Sequence, residues 1–223
     1  MLRAYVALSY FLYFLPVVLL FVARARRQRP LAAFALDVPL ALGLDLVLIL
    51  LLTRFFPLDG AVLTSRWVWA GGFVANLLIR WRGKWQLPQV PQCLDWRTAW
   101  HAIFGLVSGA LLSIFVSRAV GLWDRQWHIP LVSSLRGQRL PFLNVYTPTE
   151  GLYYHFSGDL IAAALQVFSW SHVHASLAIS MSHDVAFAAI GLFLAMFWRQ
   201  LGLRAIAATP FVIAAVLFTG PLA

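Results

Sequence analysis

Residues 5–23 read YVALSYFLYFLPVVLLFVA, and residues 24–29, directly after them, read RARRQR. A helix needs about 20 mostly apolar residues to cross a hydrocarbon core of roughly 30 Å, so this run is long enough for one membrane span. A cleaved signal peptide places its charges ahead of the apolar run and ends it on a small-residue cleavage site. Here the charges come after the run and that site is missing, so the run reads as an anchor that stays in place. Further along, residues 31–53, 61–79, 98–120, 173–198 and 205–221 have the same character. The second is interrupted by Asp37, Pro39 and Asp45, the third contains Arg66 and Asn76, and the fifth contains His183 and Asp184. The expected fold is an all-α polytopic membrane protein with about six transmembrane helices.

Composition agrees. Of 223 residues, 61% are hydrophobic and 11% charged, where a soluble domain carries about 25% charged residues. A cytosolic globule and a disordered chain are excluded. The net charge of +9 comes from 17 Lys+Arg against 8 Asp+Glu. These basic residues lie scattered between apolar runs, which points to membrane topology and to no nucleic-acid partner. With the N-terminus outside, ten of the 17 fall in cytoplasmic loops, led by Arg24, Arg26, Arg27 and Arg29. All 10 tryptophans then lie near span ends, at headgroup level. A multi-pass protein of the plasma (inner) membrane is expected. Cys93 stands alone, so an intramolecular disulfide is impossible.

One connection differs from the rest. Residues 121–172 form a long segment on the outer side, too aromatic and apolar to be disordered. Within it, residues 157–170 carry Leu160, Ile161, Ala164, Leu165 and Phe168 at helical spacing, with Asp159, Gln166 and Ser169 opposite. That pattern predicts an amphipathic helix lying in the membrane interface. A short tilted or re-entrant span is the alternative. The chain divides into a three-helix region with a cytoplasmic loop, residues 1–97, and a second region, residues 98–223, built around the outer loop.

The loop opens Trp123-Asp124-Arg125-Gln126-Trp127-His128-Ile129-Pro130. In a helix, positions 124 and 128 share a face, so an acid and an imidazole can act on one substrate atom or orient each other. A solvated acid paired with Arg125 or Arg118 explains the same residues without chemistry. Trp-Asp-x-x-x-His-x-Pro directly after a span resembles the first outer loop of the GT-C glycosyltransferases, such as the protein O-mannosyltransferases and the aminoarabinose transferases. These enzymes take a sugar from a polyprenyl-phosphate carrier. The order of the later segments is similar too: a short helix at Leu131–Leu135, a turn at Arg136-Gly137-Gln138-Arg139, Pro141 and Pro148, Leu152-Tyr153-Tyr154-His155, and then the next span. The similarity covers residues 122–200.

By that resemblance, Asp124 is the general base that deprotonates an acceptor hydroxyl, and His128 matches the histidine of one branch of the family. Tyr153, Tyr154 and His155 match the aromatic segment ahead of the second core span. A leaving polyprenyl phosphate needs cations, and Arg118, Arg125, Arg136 and Arg139 are the candidates, with Arg125 and Arg139 preferred. The implied partners are a polyprenyl-phosphate sugar donor and membrane lipid. No ligand spacing indicates a divalent metal. Three departures stand out. Many members have Asp-Glu where this chain has Asp124-Arg125, leaving Glu150 or Asp159 as the remaining loop acids. Many have an arginine opening the next span, where this chain has His172 and His174. The family also has more spans, so the chain is expected to be a fragment or a truncated form.

A second class competes. Asp37, Asp45, His183 and Asp184 lie inside apolar runs, where ionisable groups mark functional sites by default. They suit a transporter or a membrane assembly subunit with a polar pathway. The plainer expectations are an ion pair between Asp45 and Arg66 and a bonded polar pair at His183-Asp184. Haem would need facing histidines on two helices, and His101 is the only histidine within a span other than the fifth. Phosphate-binding glycine loops and nucleophile elbows are absent, and Gly71-Gly72 reads as a close helix contact.

Overall fold

The computed structural model describes residues 1–24, 30–82, 96–119, 122–152 and 157–204. These form seven helices: α1 (Leu2–Arg24), α2 (Pro30–Leu52), α3 (Leu58–Arg82), α4 (Trp96–Ala119), α5 (Leu122–Leu135), α6 (Ser157–Phe168) and α7 (Ala175–Gln200). Among the described residues there is no strand, only an isolated bridge between Leu143 and Gly151. The protein is all-helical over this extent. Stretches within α1 (Leu2–Val22) and α3 (Leu58–Ile79), together with all of α7, are long and apolar enough to cross a membrane. The expected span at 205–221 lies outside the described residues.

The chain divides into two compact units. The first comprises residues 1–23, 41–85 and 120–182, and the second residues 24–40, 86–119 and 183–223. In the first, an ionic knot in the apolar core joins four helices. Pro16 lies inside α1 and has no N–H to give the carbonyl of Leu12 one turn earlier. Arg66 on α3 takes the place of that donor: its Nη1 donates to Leu12 O at 2.9 Å and to Tyr13 O at 3.3 Å. Its Nη2 donates to Asp45 Oδ2 on α2, the expected pair, while the Trp69 indole N–H donates to Asp45 Oδ1 at 3.0 Å. The guanidinium also lies 5.0 Å from the centroid of the Phe168 ring on α6. A charge this buried persists because every face of it meets an acceptor or a π-cloud.

Two helix ends explain how residues 121–172 fold. α5 stops at Leu135 because Gly137 takes φ +77°, a left-handed conformation suited to glycine, and Gln138 N then donates to Leu135 O at 3.2 Å. The turn is zipped to the α2–α3 corner by Leu58 N to Gln138 O at 2.8 Å and Leu140 N to Thr53 O at 3.1 Å. α6 ends in a corner where Trp170 and Ser171 are both left-handed. Gln166 Nε2 donating to Val173 O at 3.1 Å and Val173 N donating to Ser169 Oγ at 3.1 Å hold that corner.

The helix expected to lie amphipathically in the interface is instead enclosed by protein. α6 packs on α3 and α5, and its polar residues are as buried as its apolar ones: Asp159 is 4% exposed, Gln166 7% and Ser169 0%. The polar stripe expected to meet water meets partners within its own unit. Among the described residues no helix approaches Gly71-Gly72 closely, since a Cβ at either position would meet nothing within 4 Å. Close helix approach occurs in the second unit. There a Cβ on Gly105 of α4 would lie 2.5 Å from the Gly191 carbonyl oxygen and 2.7 Å from Ala195 Cβ on α7. Beside it, Phe187 and Leu194 pack on Leu112.

Candidate active site

α5 starts at Leu122, so positions 124 and 128 occupy successive turns of one helical stripe, as the sequence predicts. Further along the same stripe, Leu131 and Leu135 are buried. The side chains of Asp124 and Arg125 lie outside the described residues, as do Tyr153, Tyr154 and His155.

His128 is the best-defined candidate. Its Nδ1 lies 2.7 Å from Oδ1 of Asp159 in the first turn of α6. The side chain of Asp159 is 4% exposed and that of His128 21%, so the imidazole bridges a buried acid and the surface. The turn beneath is braced by Tyr146, whose hydroxyl donates to Trp127 O at 2.6 Å and whose ring lies 4.9 Å from the Trp127 ring, edge-on. Partial burial, and secondarily the charge of Asp159, push the Tyr146 phenol above its ordinary range, which keeps it a donor.

The remaining candidates separate by what they touch. Arg136 grips Asp59 in a two-pronged pair, Nε to Oδ1 at 3.2 Å and Nη2 to Oδ2 at 2.7 Å, and its Nη1 donates to Ser171 Oγ at 2.6 Å. That geometry ties the α5 turn to α3 and to the end of α6. Arg139 is exposed. Glu150 is exposed in the 144–150 turn, where Thr147 Oγ1 donates to it at 3.4 Å. His174 caps α7, its Nδ1 accepting from Leu177 N at 3.2 Å, and His172 lies with its ring 3.9 Å from that of Tyr5.

In the second unit, Asp184 accepts from Ser113 Oγ at 2.5 Å, a side-chain partner on α4 that periodicity and spacing do not reveal. Among the described residues no three His, Cys, Asp or Glu side chains are grouped to hold a metal ion. The first unit also carries an apolar groove of about 380 Å³ between α1, α2 and α3, lined by Leu19, Leu48, Trp69, Gly72, Phe73 and Asn76 among others.

Sequence reasoning names Asp159 as a loop acid on the polar face of the 157–170 helix and does not pair it with His128. The available signal is the isolation of Asp159 on an otherwise small and apolar helix, where a carboxylate must find a partner on another element. Comparisons with protein-family models, curated proteins and solved structures find no match to this chain.

Proposed function

We propose that the protein is a membrane glycosyltransferase that moves a sugar from a polyprenyl-phosphate donor to an acceptor hydroxyl at the outer face. The observation that carries this reading is the stripe on α5. Position 124 lies one turn before His128 on α5, and the His128 ring meets a buried carboxylate, which supports an acid and an imidazole acting together. The resemblance of residues 122–200 to the GT-C loop supplies the reaction class.

In this reading Asp124 takes the proton of the acceptor hydroxyl as its oxygen bonds to the sugar C1. The bond from C1 to the phosphate oxygen breaks, and its electron pair leaves with the polyprenyl phosphate. Arg125 and Arg139 meet that negative charge, because Arg136 is already engaged by Asp59 and Ser171. The apolar groove between α1, α2 and α3 suits an isoprenoid or acyl chain. The same reading has about six spans, the N-terminus outside, in the plasma (inner) membrane. Transport through Asp37, Asp45, His183 and Asp184 is less favoured, because both carboxylate oxygens of Asp45 are engaged by Arg66 and Trp69.

The test is transfer from synthetic polyprenyl-phosphate hexoses and pentoses by the full chain in membranes, with release of polyprenyl phosphate as the readout. Asp124→Asn should lower release by about 10²–10⁴-fold while the folded protein still accumulates. Undiminished release by that variant would remove Asp124 from the chemistry.

A further inference from the structure

We infer that the corner between α2 and α3, together with the turn after α5, forms a docking surface for the anionic headgroups of bilayer phospholipid. Arg54 and Arg139 are its cations, and Phe55 and Phe56 are its apolar anchor. The two segments run side by side. Leu140 N donates to Thr53 O at 3.1 Å and Leu58 N donates to Gln138 O at 2.8 Å, so Arg54 and Arg139 both fall between these two bonds. Phe55 N and Phe56 N donate to Leu52 O at 3.0 and 2.9 Å, and Leu143 N donates to Gln138 Oε1 at 2.7 Å, which fixes both turns. Both arginines are exposed, and among the described residues neither side chain has a hydrogen bond or an ion pair.

Charge and position decide the partner. Asp59 is the acid nearest to Arg54 in sequence, and both its oxygens are taken by Arg136, so it neutralises neither arginine of this surface. Phe55 is 70% exposed and Phe56 44%. Two adjacent phenyl rings held out from a fixed turn suit a medium less polar than water. α3 begins directly after this corner, and its stretch Leu58–Ile79 is long and apolar enough to cross a membrane. At 1.5 Å per residue those 22 residues cover about 33 Å, the thickness of the hydrocarbon layer, which sets the corner at the level of the phosphates. There the rings enter the acyl boundary while the guanidinium groups meet phosphate oxygens. This surface does not rest on the glycosyl-transfer reading, in which Arg139 meets the phosphate of a carrier lipid.

The test puts the photoreactive residue p-benzoylphenylalanine in place of Phe55 in the full chain, in nanodiscs of equal parts phosphatidylglycerol and phosphatidylcholine. Lipid adducts formed on irradiation are counted by mass spectrometry. At about fivefold per basic residue, phosphatidylglycerol adducts should exceed phosphatidylcholine adducts about 25-fold with both arginines present, and about fivefold with Arg54→Gln or Arg139→Gln. With both substitutions the excess should vanish. Arg54→Lys should keep it, and added salt should reduce it. Both side chains are exposed, so the variants keep the packing of the unit, which unchanged helical circular dichroism verifies. No lipid adduct, adducts without preference, or a preference that survives the double variant overturns the proposal. So does a trace of polyprenyl phosphate that displaces phosphatidylglycerol far beyond its mole fraction, which would assign the surface to the carrier lipid.

Discussion

Replacing Arg66 with methionine is the sharpest test of how the first unit is held. The substitution keeps an unbranched apolar stem of similar length and removes the guanidinium. Asp45, 1% exposed, would lose its charged partner, and the Leu12 carbonyl freed by Pro16 would lose the Arg66 donor. Breaking a buried pair by removing one partner costs about 3–5 kcal/mol, because the remaining charge stays buried. Against a total stability of about 5–15 kcal/mol, that is a large share of what holds the fold. The paired replacement Asp45→Leu with Arg66→Met removes both charges and should recover most of the loss, since apolar substitutes for a buried pair are often neutral. Reversible unfolding in mixed micelles measures all three proteins. If Arg66→Met unfolds within about 1 kcal/mol of wild type, or if the double variant is no more stable than the single, Arg66 and Asp45 do not form the knot described.

Other contacts give two more expected outcomes. Gly105→Ala would drive a methyl group against the Gly191 carbonyl and Ala195, so part of the α4–α7 contact must open by about 1 Å to restore normal separation. Thermal unfolding should show a loss of about 1–3 kcal/mol, whereas Gly71→Ala, with nothing within 4 Å, should be neutral or stabilising. Tyr146→Phe tests the brace beneath His128: it should cost about 1 kcal/mol by removing the bond to Trp127 O. The raised phenol pKa gives a sign to check. Its contribution is complete below the ordinary tyrosine value of about 10 and is lost as pH rises through the higher folded value, so the stability difference from Tyr146→Phe should narrow in alkali. Ultraviolet difference titration of the two proteins measures the ionisation directly.

Helix positions were legible from hydrophobic run length alone. The runs 5–23, 31–53, 61–79, 98–120 and 173–198 correspond to α1, α2, α3, α4 and α7 with ends displaced by a few residues. The Asp45–Arg66 pair was legible too, because a charge inside an apolar run has few ways to persist and these two stand on consecutive runs. The direction in which α6 turns its polar stripe was not legible. Periodicity records that Asp159, Gln166 and Ser169 lie on one face, yet water and a set of protein partners satisfy such a face equally well. Gly71-Gly72 and Gly105 illustrate the same limit, since a glycine in a helix signals close approach only if another helix is there to approach.

By itself, the sequence determined that the chain is helical and strongly apolar, and roughly where its five long helices lie. Those properties depend on residues near one another along the chain and on the length a bilayer demands. Tertiary structure alone decided that Arg66 replaces the donor Pro16 lacks, 50 residues earlier in the chain, and that Asp159 comes to hold His128. Both pairings join residues from different helices, and a buried polar group takes whatever partner the packing of helices brings within hydrogen-bond distance.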